Sequence, residues 1–318
     1  MFTNKRLSGA YENARIEYFD NTSKYVFMSD SHRGDDGLSD EFTRNQNIFL
    51  HALDHYYEDG FVFVEAGDGD ELWEQSSYKY LRLAHRDVYN ALKKFFDDGR
   101  LILLYGNHNI QLKYPQYVRD NCFYYYSEYY ERKHKFLYGI EPQEALLMKH
   151  RETGQEILTV HGHQGDFFND QLWRFSLILS RYFWRFMHVI GLHNPSSPSK
   201  NLHKRHKIET AYTKWIQLSK TMLICGHTHR PKFPKNGELP YFNTGCCIHS
   251  RGINCIEISD GKILMADWIV RANEDGLLEV KRKVVRGPEP LEKYDFNSNP
   301  DLNKIILSMK SDDEDDSV

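Results

Sequence analysis

Five short segments carrying Asp, Asn and His each stand directly behind a run of small apolar residues. They are Asp30-Ser31-His32 after Lys24 to Met28, Gly67-Asp68 after Phe61 to Ala66, Gly106-Asn107-His108 after Leu101 to Tyr105, His161-Gly162-His163 after Ile157 to Val160, and Gly226-His227-Thr228-His229 after Met222 to Cys225. The apolar runs read as buried strands. In open α/β sheets the chemistry collects beyond the carboxyl ends of such strands. Any one of these motifs arises by chance in a chain of this length, whereas the ordered set points to one metal site.

Between the runs, Glu41 to Tyr57 places Phe42, Ile48, Phe49, Ala52, Leu53 and Tyr56 at helical spacing, and Tyr78 to Asp98 is a second helical stretch. The first third therefore alternates β, α, β, α, β, as parallel crossover units do. Ile110 to Arg151 is Tyr-rich without a clear period and is expected to be an insertion of mixed structure. Beyond His163, residues 167–218 form a long helical insertion before the strand Met222 to Cys225. Strands are expected near Tyr241 to Cys247, Ile253 to Ile258, Ile263 to Val270 and Leu278 to Val285, forming a second sheet packed on the first. The domain reading is one catalytic-type unit over 1–290, with residues 291–318 as a tail that is disordered at its acidic run, Ser311 to Asp316.

The net charge of -4 gives no reason to expect a nucleic-acid partner. Cys122, Cys225, Cys246, Cys247 and Cys255 are odd in number and form no C-x-x-C pair, and the chain starts without a charged-then-apolar leader. Buried reduced thiols in a cytoplasmic protein are the expectation.

Carboxylate, imidazole and amide ligands without thiolate suit open sites for Mn, Fe, Co, Ni or Zn rather than a closed structural zinc. Two ions are expected, because a shared carboxylate offsets their repulsion while the pair clamps a phosphoryl oxygen and acidifies a water.

The segments resemble those of the calcineurin-like metallophosphoesterase superfamily over roughly Tyr25 to Asp267. That resemblance implies a four-layer αββα sandwich in which Asp30, His32 and His229 hold one ion, Asn107, His161 and His227 hold the other, and Asp68 bridges them. It makes His108 the residue that touches phosphate and protonates the leaving group. Gly67-Asp68-Gly69-Asp70-Glu71-Leu72-Trp73 is similar to the G-D-x-x-E-x-W of UDP-2,3-diacylglucosamine pyrophosphohydrolases and lacks the Asp-Arg-Gly of the protein-phosphatase branch. Two departures stand out: Asn109 replaces the usual acidic residue, and His108 stands where the lipid-branch enzymes often carry Arg. The implied activity is phosphodiester or pyrophosphate hydrolysis in a sugar-nucleotide or lipid-linked substrate. Phosphomonoester or nucleotide hydrolysis, or a non-catalytic scaffold, are the alternatives.

Leu172 to Ile190 is nearly all apolar, with Arg174, Arg181, Arg185 and His188 along one helical stripe. Three arginines over that length argue against a membrane span. A cap over the site, a homodimer contact, and an interfacial helix giving peripheral contact at the inner membrane face all fit such a segment. Arg181 and Arg185 are expected to contact substrate phosphate. Arg33 and Asp35 either contact it or brace the loop, and His163 is a ligand, a support for one, a substrate contact or a turn residue. The basic run Lys200 to Lys207 reads as a solvated face or as a site for a diphosphate or an anionic membrane.

Overall fold

In the computed structural model, which describes residues 2–184, 186–187, 201–250 and 252–315, the chain is a mixed α/β protein with two multi-stranded sheets and several helices. The first sheet has β2 (Tyr25–Met28), β3 (Val62–Ala66) and β4 (Leu101–Leu104) as parallel neighbours. It continues antiparallel from β2 through β11 (Ile253–Ser259), β12 (Lys262–Ala272) and β13 (Leu278–Pro290). The second sheet contains β1 (Arg15–Phe19), β7 (Ala145–His150), β8 (Glu156–Val160), β9 (Met222–Cys225) and β10 (Tyr241–Asn243) in that spatial order.

This corrects the expected division, in which the last strands made up the second sheet. β2 is buried on both faces and one of its edges is taken by β3, so its other edge needs a partner for its backbone groups. β11 supplies that partner, with Phe27 opposite Ile256. The second sheet instead draws on two strands that lay unread, β1 and β7. The stretch Ile110 to Arg151 holds β7 as well as the helix Pro115–Cys122 and a small hairpin, β5 (Tyr124–Ser127) with β6 (Arg132–Lys135). The chain also begins with the helix Phe2–Glu12.

Successive strand side chains go to opposite faces, and here they go to different apolar clusters. Tyr25 and Phe27 enter a cluster with Val64, Ile102, Met148 and Ile224 between the two sheets. Val26 and Met28 instead meet the helices Gln46–Glu58 and Arg86–Asp97 on the outer face. On the second sheet, Leu223 and Cys225 pack outward against Tyr212 and Trp215 of the helix Leu202–Ser219. The stretch after residue 290, expected as a tail, places Leu291 and Tyr294 between the sheets and adds the helix Asp301–Asp315, which buries Ile306. Asp316 lies outside the described residues. Among the described residues no helix is long and apolar enough to cross a membrane. All five cysteines are free and buried, and burial pushes the Cys122 and Cys246 thiols up to about 12.

Candidate metal centre

Each ligand-bearing segment leaves the carboxyl end of a buried strand and turns sharply: β2 into Asp30, β3 into Asp68, β4 into Asn107, β8 into His161 and β9 into His227. The turns rest on unusual backbone. Asp30, His32, Asp68, His227 and His229 have φ of 54°, 48°, 50°, 65° and 53°, the left-handed region that costs a non-glycine residue about 1–2 kcal/mol. Asp and His enter that region more readily than most residues, and clusters of it mark functional sites.

Backbone bonds tie the loops to one another. Asp30 N donates to Gly67 O (3.1 Å), His32 N to Asp68 O (2.9 Å), and Gly226 N to His161 O (2.8 Å). Gly67 has φ of +91°, and a Cβ there would stand 2.6 Å from Cβ of His161. Its lack of a side chain is what lets the β3 turn approach the β8 turn.

The side chains converge in two groups. Asp30, His32 and His229 form one, with His229 Nε2 3.1 Å from Asp30 Oδ1 and 3.3 Å from His32 Nε2. Asp68, His161 and His227 form the other, with His161 Nε2 2.9 Å from Asp68 Oδ2. His161 Nδ1 donates to Ala66 O (3.1 Å), which leaves Nε2 bare. Asp30 Oδ1, Asn107 Oδ1 and His161 Nε2 are all buried without a hydrogen-bond partner. Buried polar atoms are rarely left so. A cation among them would satisfy all three, so the residues fit a metal centre by their own chemistry.

Charge agrees. Burial opposes ionisation of Asp30 and Asp68, but the surrounding imidazoles, His229 and His161 for the first and His161 and His108 for the second, hold both carboxyls well below the usual range. Burial also keeps His227 below its ordinary value, as a neutral imidazole able to act as a ligand.

Glu71 is the site residue that residue-by-residue reading missed. It lies in the quoted Gly67 to Trp73 motif, which was its only sequence signal. One carboxylate binds Nδ1 of both His32 and His108, each at 2.8 Å. It also accepts from the backbone of Trp73 and Glu74, both at 3.2 Å. Burial raises the Glu71 carboxyl, yet His108 and His32 hold it at about 2. The Trp73 ring stacks on His108 with centroids 4.3 Å apart. His108 N donates to Asp68 Oδ1 (2.8 Å). Asn109 accepts from Gly106 N (2.7 Å) and so shapes the turn that carries Asn107.

The expected phosphate contacts fare differently. Arg33 is 1% exposed, its guanidinium held by Glu65 (2.6 and 2.9 Å) and Asp70 (2.9 Å), so it braces the loop and does not reach the cavity. Asp35 does line the cavity. His163 is buried beside His161, and burial holds it down at about 3; it stays neutral and away from the cavity wall. Arg181 donates Nε to Trp73 O (3.0 Å) and Nη2 to Leu72 O (2.8 Å). It fastens the insertion to the Glu71 loop and has spent these donors on backbone instead of phosphate. Arg185 and His188 lie outside the described residues.

The insertion runs as the helix Trp173–Leu179 and a π turn, Ser180–Trp184. Its Phe175, Leu179 and Trp184, with Phe168 and Trp73, make the apolar walls of a cavity of about 590 Å³. His32, Asp68, Asn107, His108, His227 and His229 make the polar part of the same cavity. Lys204 of the basic run reaches it too, paired with Asp166 at 2.8 Å, and Asp166 stands 3.5 Å from His227 Nε2.

No protein-family model matches the chain, and no curated protein matches it. Solved structures that resemble it include a mutant of a cold-active protein tyrosine phosphatase, 14% identical over 86% of this chain and 84% of that one with a TM-score of 0.37. The cold-active protein-tyrosine phosphatase of a psychrophile, Shewanella sp., matches with the same identity and coverage and a TM-score of 0.35. Likenesses of this depth decide neither fold nor chemistry.

Proposed function

We propose that this chain is a two-metal phosphohydrolase of the calcineurin-like type, cleaving a phosphodiester or pyrophosphate bond. The observation that carries this reading is the pair of ligand groups, with three orphaned buried atoms, Asp30 Oδ1, Asn107 Oδ1 and His161 Nε2, among residues whose partners His32, Asp68, Asn107, His227 and His229 line one cavity. Asp30, His32 and His229 would hold one divalent ion and Asn107, His161 and His227 the other, with Asp68 between; manganese suits the oxygen and imidazole donors. Such a pair clamps a phosphoryl oxygen and acidifies a water at neutral pH. The order of apolar clusters, helices, sheet, sheet, helices, supports the αββα sandwich of that superfamily.

The residues of this chain supply the rest. Glu71 accepts a hydrogen bond from Nδ1–H of His108, which orients the ring so that Nε2–H can supply the proton that a departing oxygen needs. Trp73 covers one face of that ring and limits water there. Phe168, Phe175, Leu179 and Trp184 form walls that suit a substrate with an apolar portion next to its phosphate, such as a lipid-linked or acylated sugar nucleotide. Phosphomonoester hydrolysis is the second reading, since the same ligand groups would activate a water against either ester.

The deciding experiment incubates Mn-loaded protein with bis(p-nitrophenyl) phosphate, p-nitrophenyl phosphate, nucleoside diphosphate sugars and their acylated forms. Diester or diphosphate turnover above monoester turnover is the expected result. Faster monoester hydrolysis would replace this reading with the second, and no turnover of any member would remove both.

A further inference from the structure

Beside the metal cavity lies a second hollow of about 810 Å³, and the two share Arg44, Arg230, His249 and Ser250 in their walls. Arg271 of β12 and Lys283 of β13 line its far part. Four cations thus follow one continuous path from the metal centre in a chain whose net charge is -4.

Their state is unlike that of other arginines. Arg6, Arg33, Arg100 and Arg282 are each engaged by a carboxylate. Arg44, Arg230, Arg271 and Lys283 are exposed, and their side chains make no ion pair or hydrogen bond among the described residues, although the ladder sets Arg271 opposite Glu279 and Lys283 opposite Asp267. The strand alternation sharpens this contrast on β13. Arg282 turns in to Glu257 (2.6 Å), while its neighbour Lys283 turns out to the hollow. The carboxylate in that wall, Asp267, accepts from Asn254 Nδ2 at 2.7 Å. Cations with no protein partner, gathered along a concave path, raise the local concentration of anions. Guanidinium groups match phosphate in a bidentate fork.

We infer that this groove receives a second phosphate-class group of the same substrate whose scissile phosphoryl sits at the metal centre. The inference rests on the phosphohydrolase reading and extends it: the substrate carries at least one anionic group beyond the bond that is cleaved. Arg44 and Arg230, common to both hollows, lie where the connecting portion would pass, and Arg271 and Lys283 hold the distal group.

The test is calorimetric titration of the full Mn-loaded chain with inorganic tripolyphosphate, with orthophosphate and with a nucleoside diphosphate. Replacing Arg271 and Lys283 together by Ala should weaken tripolyphosphate by about tenfold or more, since charge-assisted bonds are lost, and orthophosphate far less. Lys304→Ala, which removes a cation paired with Asp301 within the helix Asp301–Asp315, should leave both affinities unchanged. Lys283→Glu alone provides a second variant at an exposed position should the double one fold poorly. A nucleoside diphosphate that loses affinity in parallel points to phosphate contacts alone, and a smaller loss shows that the base or sugar holds it elsewhere and overturns the groove assignment for that source. Equal tripolyphosphate affinity in wild type and variants, or an equal loss in Lys304→Ala, overturns the inference. Turnover is assayed beside the titration, so that the two failures are distinguishable: a groove that binds in a protein that hydrolyses nothing would sink the enzymatic reading and leave only an anion site, whereas turnover with equal tripolyphosphate affinity in wild type and variants would sink this inference alone.

Discussion

Glu71 and His108 are joined at 2.8 Å, and the same carboxylate holds His32 at an equal distance. One acid therefore sets the tautomer of a proposed metal ligand and of the proposed proton donor. Glu71→Gln loses the charge and replaces one of the two acceptor oxygens by an NH₂ donor, which weakens the hold on both rings. Turnover of substrates with strongly basic leaving groups should fall by about 10²-fold, while p-nitrophenolate departure, which needs no proton, should fall far less. An equal loss across leaving groups in a rate series would mean that Glu71 only braces the loop.

Removal of metal should abolish hydrolysis, and Mn should restore it. Asp68→Ala is expected to lose both proposed ions and nearly all activity, because it removes the negative charge that would lie between two cations. His108→Ala should keep its metal content and turn over slowly. Metal analysis beside initial rates checks both, and full activity in a rigorously chelated sample would refute the metal assignment.

Arg181→Ala should slow every substrate, including a small diester, because Arg181 grips the carbonyls of Leu72 and Trp73 and not the substrate. Charge-assisted bonds of this kind are worth about 1.5–3 kcal/mol, so the melting temperature should drop as well. A variant with normal stability and a defect confined to KM for diphosphates would make Arg181 a phosphate contact after all.

Acid should loosen the loop after Arg33. Asp40 is buried, accepting from the backbone of Gly34 (3.1 Å), Asp36 (2.9 Å) and Phe42 (3.0 Å) and from His85 at 2.7 Å. Burial raises its carboxyl, but the His85 bond outweighs this and holds it below the ordinary value. The unfolded chain therefore binds this proton first as pH falls. The stabilisation is complete above about pH 4 and is lost below it as the folded value is approached. Thermal melts across that range should show a shallower acid loss for Asp40→Asn than for the wild type, and parallel curves would exclude Asp40 as the titrating group.

Gly67→Ala should fold poorly or bind metal weakly. A methyl at φ of +91° would press on the His161 side chain that closes the second ligand group. Metal affinity measured on whatever folds is the direct readout.

Much of this was readable in advance. β2, β3, β4, β8 and β9 are runs of residues buried on both faces, so their apolar signal is continuous, and the polar residue ending each run marks the site. β1 was not legible, because Arg15 and Glu17 alternate with Ile16 and Tyr18 on an edge strand whose first four residues are not buried. β7 was hidden inside a Tyr-rich stretch with no period of its own. Sheet membership of β10 to β13 depends on which edge each strand meets, a non-local fact that no window of sequence contains. Glu71 looked like one acid among many. Its role comes from two histidines that lie 39 and 37 positions away. Arg33 was open to two roles, phosphate contact or loop brace, because its choice rests on Glu65 and Asp70, which enclose it in the fold.

Five of the seven proposed ligands sit in left-handed turns, which means the site is encoded in torsion angles as much as in side chains. Copying Asp30, His32, Asp68, Asn107, His161, His227 and His229 onto another parallel sheet would reproduce their names and none of their aim. Transplantation would have to carry each strand end together with its turn, and a designer screening genomes for lost or repurposed versions of this centre would do better to search for the turns than for the letters.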